Sequence, residues 1–167
     1  MIGNDLRQYL QQVCSALNTF EVRYMLVGGV AVGFYGYQRI SGGTEQFDPN
    51  FKHDLDFWYQ PVLSNFERIV EALDSLGVDR ERLNAIVFDP NRTFLKIPFE
   101  HFKIDFLPTV SGLSDFNSAY TRSSKVKIDG NEISIIAYSD LISNKTGMNR
   151  GLDLRDIEEL ERRRNKR

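Results

Sequence analysis

The sequence has a single cysteine among its 167 residues, so no disulfide can form within the chain. Cys14 lies at helical spacing from Leu10 and Leu17, which predicts a thiol packed in a helix. Because disulfides are rare in reducing compartments, a lone cysteine of this kind is consistent with a cytoplasmic protein. The expected location is therefore the cytoplasm.

Long apolar runs are also missing. No stretch approaches the roughly 20 apolar residues that a membrane-spanning helix needs. The beginning, MIGNDLRQYL, lacks the basic region followed by an apolar segment of a secretory signal, so we expect no membrane association. The formal net charge is only −2, so any anion must be bound by local groups and not by the field of the whole molecule.

Strand and helix patterns alternate along one predicted domain, residues 1–167, which has no internal repeat. This alternation predicts an α+β fold, a mixed β-sheet with helices packed on it and C-terminal helices over 138–167. The predicted strands are 22–27, 53–59, 94–97 and 102–108, together with a hairpin of 124–129 and 132–138 around Gly130-Asn131. The predicted helices cover 4–19, the segment after Gly28-Gly29, a segment through Phe66 and Leu73 that ends near Gly77, a helix capped by Ser139, and Asp153 to the end. The segment 81–93 is irregular or a short helix.

Two carboxylates occur one residue apart in the predicted strand HDLDFWY. Because side chains alternate along a strand, Asp54 and Asp56 must point to the same face. Like charges this close repel each other, so the pair either is solvated at a sheet edge or holds a cation. Asp105 lies in the apolar strand FKIDFLP, where a carboxylate is costly unless it binds a metal or pairs with Lys103 or Arg122.

Two glycines, Gly28 and Gly29, separate a predicted strand from a predicted helix. Glycine allows backbone amides to approach a phosphate closely, although the same pair is also typical of a simple tight turn. Acids on neighbouring strands that face this turn would hold two cations about 4 Å apart, an arrangement that serves in-line phosphoryl transfer. Oxygen ligands of this kind suit Mg²⁺.

The segments LVGGVAVGFYGYQRIS and HDLDFWY resemble the nucleotidyltransferase superfamily, which includes DNA polymerase beta and the aminoglycoside nucleotidyltransferases. Its pattern is Gly-Gly or Gly-Ser after a strand, Asp-x-Asp on the next strand and a third Asp on a later strand. Gly28, Gly29, Asp54, Asp56 and Asp105 match it in order. The tail, ISIIAYSDLISNKTGMNRGLDLRDIEEL, is similar as well, and small bacterial nucleotidyltransferases related to abortive-infection toxins are the nearest in character.

The resemblance implies a Mg²⁺-dependent transfer of a nucleotide from a nucleoside triphosphate to a hydroxyl of RNA, protein or a small molecule. Asp54 and Asp56 would hold two Mg²⁺, and Asp105 would bind one of them and help to deprotonate the acceptor. Lys145 would lie near the triphosphate, and Arg39 would reach a phosphate or pair with an acid of the site. The alternative is a toxin–antitoxin or partner-binding domain with a vestigial site and a cognate antitoxin as its partner.

One departure from the family pattern is the segment inserted over 41–52, between Ser41 and the Asp-x-Asp strand. It is a lid, a blocker or a neutral insertion. The basic end, RRRNKR, either contacts an RNA backbone or is a solvated helix end. Asp153 and Asp156 are expected to cap and orient the last helix.

Overall fold

A six-stranded sheet organises the computed structural model, which describes residues 4–36, 52–148 and 151–165. Its strands and helices follow one another in the predicted chain order, apart from one additional short helix over 116–122. The elements are α1 (Asn4–Thr19), β1 (Tyr24–Val27), α2 (Gly28–Phe34), β2 (His53–Tyr59), α3 (Leu63–Ser75), α4 (Arg80–Asn84), β3 (Leu95–Pro98), β4 (Phe102–Leu107), α5 (Phe116–Arg122), β5 (Ser124–Ile128), β6 (Asn131–Ile135), α6 (Tyr138–Met148) and α7 (Gly151–Asn165).

The strand order is β3-β4-β2-β1-β6-β5, and the sheet is mixed. β2 runs parallel to β4 and β1 runs parallel to β6, whereas the other three neighbouring pairs are antiparallel. The predicted α+β architecture is therefore confirmed. Because β1 is central and antiparallel to β2, the end of β1 lies beside the first half of β2, where both aspartates are found.

The two faces of the sheet differ in character because side chains alternate along each strand. Leu55 and Phe57 are fully buried, and the Phe57 ring stacks on Phe106 with 5.5 Å between centroids. Tyr24 meets the Phe57 ring edge-on, and its hydroxyl hydrogen bonds to Asn18 of α1. This face is the apolar core, so the acidic residues that alternate with it must lie on the opposite face.

Helix α1 covers the predicted range and packs an apolar stripe into that core. Leu6, Leu10, Val13, Cys14 and Leu17 recur at spacings of three and four residues, and all five are buried. Burial raises the pKa of the Cys14 thiol to about 12. The predicted packed thiol is confirmed, and at neutral pH it is protonated.

The β5–β6 hairpin differs by one residue from its predicted turn. Ile128 pairs with Asn131, so the two turn residues are Asp129 and Gly130 and not Gly130-Asn131. Both have positive φ, 51° and 84°. Two successive positive φ values define the turn that best matches strand twist, and Asp-Gly is one of its favoured pairs.

Several helix boundaries also differ from the prediction. Helix α6 begins at Tyr138, one residue before the predicted cap Ser139, and α7 begins at Gly151, before Asp153. Helix α5 was not predicted; its signal is Asp115, whose carboxylate accepts hydrogen bonds from the Asn117 and Ser118 amides.

No described helix is both long enough and apolar enough to cross a membrane. The inserted segment lies outside the described residues except for Lys52, whose ammonium donates a 2.6 Å hydrogen bond to the Phe99 carbonyl. The three predicted roles of this segment, as a lid, a blocker or a neutral insertion, therefore stay predictions.

Candidate active site

The turn from β1 into α2 presses backbone against a carboxylate. Val27, the last residue of β1, pairs with Asp56, and Gly28 follows with φ of +70°. A Cβ atom at position 28 would lie 2.3 Å from Asp56 Oδ2, far inside van der Waals contact. Only glycine therefore allows both this backbone conformation and this approach. Gly29 follows directly as the second residue of α2.

Asp56 and Asp105 are brought together by strand register. β2 and β4 are parallel, and the two aspartates are direct partners across them, so their side chains point to the same face. The Asp105 carboxylate is near enough to raise the pKa of Asp56. Asp105 Oδ1 is buried, and the described residues offer it no hydrogen-bond partner. A buried oxygen of this kind is costly unless a ligand satisfies it.

The electrostatics of this pair favour holding a proton when no cation is present. Burial and, after it, the neighbouring Asp105 and Asp54 carboxylates raise the pKa of Asp56 to about 7. Burial also raises the pKa of Asp105, against the opposing effect of Lys103 and Lys96. A site that protonates near neutrality can release that proton when a positive charge binds.

Asp54 lies on the same face, but its carboxylate is already paired with a lysine. Its carboxylate forms a 3.2 Å ion pair with Lys103 Nζ, and both side chains are about half exposed. The hydrogen bond to Asp54 raises the pKa of Lys103. Of the two cationic partners considered for Asp105, Arg122 instead forms an ion pair with Asp140 at 2.9 Å.

The oxygen ligands on the acidic face fit the predicted Mg²⁺ in part. Within residues 4–36, 52–148 and 151–165, no three His, Cys, Asp or Glu side chains form a ready-made metal-binding group. Asp56 and Asp105 nevertheless suit Mg²⁺, which takes one or two carboxylates and completes its shell with water and substrate phosphates. The partnerless Asp105 oxygen and the raised pKa of Asp56 both fit a cation between these two carboxylates.

Comparison with solved structures identifies the architecture. A lincosamide antibiotic adenylyltransferase, LnuA, solved with lincomycin bound, matches with a TM-score of 0.58 and 17% identity over 96% of this chain and 97% of that one. A protein of Thermotoga maritima described as a nucleotidyltransferase matches with a TM-score of 0.53 and 14% identity over 100% and 97%. The chain has the nucleotidyltransferase fold. No family model and no curated protein sequence matches it.

A third structure with the nucleotidyltransferase fold is an antigenic nucleotidyltransferase-like protein of Paracoccidioides brasiliensis. It has a TM-score of 0.52 and 15% identity, over 95% of this chain and 77% of that one. At identities this low, the likeness shows the fold alone. The function must therefore be argued from this chain's own residues.

Lys145 is almost fully buried, which is unusual for a lysine. It is 1% exposed, and its ammonium lies 3.2 Å from an Asp153 oxygen and 3.1 Å from an Asp156 oxygen. Both aspartates are buried too. Their capping of α7 stays a prediction, and the structure shows that they neutralise a buried cation on α6. The positive charge of Lys145 also lowers the pKa of Asp56.

The sequence reasoning missed Lys96. Lys96 pairs with Asp105 across β3 and β4, so it lies on the acidic face, and its charge lowers the pKa of Asp105. Strand alternation in LKIP was the available signal, but only the register shows which acid it faces. Arg39 lies outside the described residues, and its predicted role stays a prediction.

Proposed function

We propose that this protein transfers a nucleotide from a nucleoside triphosphate to an acceptor hydroxyl. The observation that carries the proposal is the Asp56–Asp105 pair held in register on two parallel strands against the Gly28 turn. Two carboxylates with raised pKa values on a partly open face are suited to a divalent cation and to proton transfer. The nucleotidyltransferase fold supports the same chemistry.

Asp56 and Asp105 would hold Mg²⁺, and Asp54 would join them once Lys103 exchanges its carboxylate partner for a substrate phosphate. When bound, the cation supplies charge neutralisation for the phosphate oxygens and for the leaving pyrophosphate. Gly28 and Gly29 would present backbone amides to the phosphates. Lys145, held between its two aspartates, would add a positive charge behind the pair.

In the proposed reaction, Asp105 accepts the proton of the acceptor hydroxyl. The hydroxyl oxygen forms a bond to the α-phosphorus, the bond from that phosphorus to the α,β-bridging oxygen breaks, and pyrophosphate leaves. A base with a raised pKa is better matched to this proton than an ordinary aspartate. Acceptors within the proposal are RNA, a protein side chain and a small molecule.

The experiment uses each of the four nucleoside triphosphates labelled at the α-phosphate, with Mg²⁺ and either total RNA, total protein or a small-molecule extract. We expect label to move to one acceptor class. Asp56→Asn and Asp105→Asn should each reduce transfer by at least about a hundredfold, since each removes a group needed for charge stabilisation or proton transfer.

Asp5→Asn is the matched control, because it makes the same Asp-to-Asn change at an exposed position on α1, outside the acidic pair. Its transfer rate should equal that of the unmodified chain. The proposal is wrong if no acceptor gains label and Mg²⁺–nucleotide binding is equally absent.

A partner-binding domain with a vestigial site is the second candidate. The Asp54–Lys103 ion pair favours it, because it neutralises one of the three acids that the reaction would need. Calorimetric titration with Mg²⁺–ATP separates the two. Binding that Asp56→Asn removes supports the enzyme, whereas no binding supports the vestigial site, and the toxin–antitoxin role stays a prediction within that candidate.

A further inference from the structure

A second cleft lies at the end of α2, away from the paired carboxylates. Its volume is about 390 Å³. The first turn of α6 and the last turns of α7 complete it, and we call it the tyrosine–arginine cleft. Its lining residues are Tyr35, Tyr138, Ser139, Leu160, Arg163 and Arg164.

The cleft lies on the same side of the molecule as the candidate active site. β1 and β6 are parallel, so α2 and α6 both begin at the same edge of the sheet. Tyr35 follows the seven-residue α2 that starts at Gly28. At about 1.5 Å per helical residue, the cleft is about 10 Å from the glycine turn.

Two aromatic rings form the inner wall of the cleft. Tyr35 and Tyr138 meet edge-on, with 5.4 Å between centroids. The Tyr35 hydroxyl is held by a 2.7 Å hydrogen bond that it donates to the Ile136 carbonyl. The Tyr138 hydroxyl is buried and has no hydrogen-bond partner in the part of the chain that the structure describes. A polar ligand that reaches this hydroxyl would supply the hydrogen bond that it lacks.

The outer wall carries an arginine whose charge is neutralised by no carboxylate of the described residues. Glu159 forms ion pairs with Arg162 and Arg163, and Arg163 also donates to the Gly36 carbonyl. Arg164 instead places its guanidinium over the Tyr138 ring, 4.9 Å from the centroid, and among the described residues it has no ion pair. Its side chain is exposed, so its donors are available to an anion.

We propose that the tyrosine–arginine cleft binds a nucleotide unit of single-stranded RNA. Arg164 would bind the phosphate, a base would stack on a tyrosine ring, and the hydroxyls of Tyr138 and Ser139 would recognise the ribose 2′-hydroxyl. Stacking on aromatic rings beside a cationic group is the usual way in which proteins hold unpaired bases. This binding goes beyond the proposed function, because it requires neither Mg²⁺ nor transfer chemistry.

A strand is favoured over a free nucleotide by the sequence after the cleft. In the sequence RRRNKR, Arg164 is followed by Lys166 and Arg167, so the chain carries more cationic residues here than a single phosphate needs. Each additional phosphate contact increases the affinity and its dependence on salt.

The test measures fluorescence anisotropy of labelled eight-nucleotide RNAs, A8 and U8, with EDTA present and at two salt concentrations. We expect binding that weakens with salt. Arg164→Gln should weaken it at least fivefold and reduce the salt slope by about one phosphate equivalent. Tyr138→Phe should reduce the preference for RNA over DNA of the same sequence, since it removes only the hydroxyl.

Arg155→Gln is the matched control, since Arg155 is exposed on the same helix and outside the cleft. It should change the affinity less than twofold. Equal losses from Arg155→Gln and Arg164→Gln, equal affinity for DNA, or competition by AMP as effective as that by RNA would each overturn the proposal. The absence of RNA binding in the unmodified chain would also overturn it. Because Arg164 is exposed, we expect the Arg164→Gln variant to fold normally.

Asp56→Asn separates this proposal from the proposed function. The variant should retain RNA binding in EDTA while it loses label transfer. If Asp56→Asn abolishes RNA binding in EDTA, the RNA site is not the tyrosine–arginine cleft. If label transfer is absent in the unmodified chain but RNA binding and its loss in Arg164→Gln persist, only the enzymatic proposal fails.

Discussion

The contact between Gly28 and Asp56 shows how one residue without a side chain determines where a carboxylate lies. Asp56 Oδ2 occupies the space that a Cβ at position 28 would need, so this oxygen lies directly over the turn. Burial is the largest cause of the raised pKa of Asp56. Strand register then adds Asp105 as a second acid. A glycine, a turn and a register together produce the acidic pair.

Gly28→Ala should damage the site more than backbone strain alone explains. A Cβ at position 28 would collide with Asp56, so we expect Mg²⁺ affinity to fall at least tenfold and unfolding free energy to fall by about 1–3 kcal/mol. Gly77→Ala is the control, because Gly77 has φ of +93° with no atom within 4 Å of its added Cβ. Gly77→Ala should leave the Mg²⁺ affinity unchanged; equal losses in both variants would contradict the collision.

Mg²⁺ binding should depend on pH through Asp56. Because this carboxyl has a pKa of about 7, a cation must displace a proton below that pH, and the affinity should rise about tenfold per pH unit up to 7 and then level off. Calorimetry at pH 5.5, 6.5 and 8 measures this. An affinity that is flat over that range would contradict the assignment.

The metal-free protein should lose stability as the pH rises through the same range. The folded-state pKa of Asp56 lies above its ordinary value of 3.8, so the folded chain holds more protons than the unfolded chain between about pH 4 and 7, and unfolding free energy falls with pH there. Asp56→Asn should therefore gain on the order of 2 kcal/mol at pH 8 and progressively less towards pH 4. Denaturant unfolding in EDTA at both pH values checks the sign.

Among the elements, α6 and α7 are joined by the most deeply buried charges that the described residues contain. Lys145 on α6 and Asp153 and Asp156 on α7 are all at most 1% exposed. Removing one partner of a buried ion pair leaves an uncompensated charge, which is far more costly than losing a surface pair. The position of α7 is therefore linked to the charge behind Asp56.

Lys145→Met should lower the unfolding free energy by about 3–5 kcal/mol, because two buried aspartates would lose their cation. Adding Asp153→Leu and Asp156→Leu to it should restore much of the loss. Arg7→Met is the control, since the Arg7 and Asp129 side chains are both about half exposed and their pair should be worth about 1 kcal/mol or less. Equal losses of unfolding free energy in the lysine variant and the arginine variant would contradict the claim that the buried ion pairs stabilise the fold.

The elements also show which features a sequence can predict. Apolar periodicity was sufficient for α1, because five side chains on one stripe face one core. The face shared by Asp54 and Asp56 followed from strand alternation alone. Register was not predictable, so the Asp54–Lys103 pair and the Lys96–Asp105 neighbours emerged only from the structure. The Lys145–Asp153–Asp156 cluster depends on how two helices pack, which no local pattern encodes.

At the scale of the whole molecule, one apolar cluster connects the sheet to its helices. It includes buried residues of every strand of the sheet. Among them are Leu26 at the centre of the sheet and Trp58 beside the acidic face. A single core of this size should unfold in one cooperative step. Trp58 is the only tryptophan of the chain, so its fluorescence reports on that step.

Leu26→Ala should lower the unfolding free energy by about 2–5 kcal/mol, because it leaves a cavity in the central strand. Tryptophan fluorescence and far-ultraviolet circular dichroism should give the same shifted midpoint. Val87→Ala is the control, since Val87 is 89% exposed and should change the stability by no more than about 0.5 kcal/mol. Midpoints that separate between the two probes would show that the sheet does not unfold as a unit.

The position of β1 between β2 and β6 has a consequence for biosynthesis. β1 and its glycine turn are translated early, yet β1 obtains its second neighbour only from Asn131–Ile135. A ribosome-bound chain must therefore leave this strand with one unpaired edge until most of the later sequence has emerged from the exit tunnel. A nascent chain that stalls earlier is thus a candidate for chaperone capture.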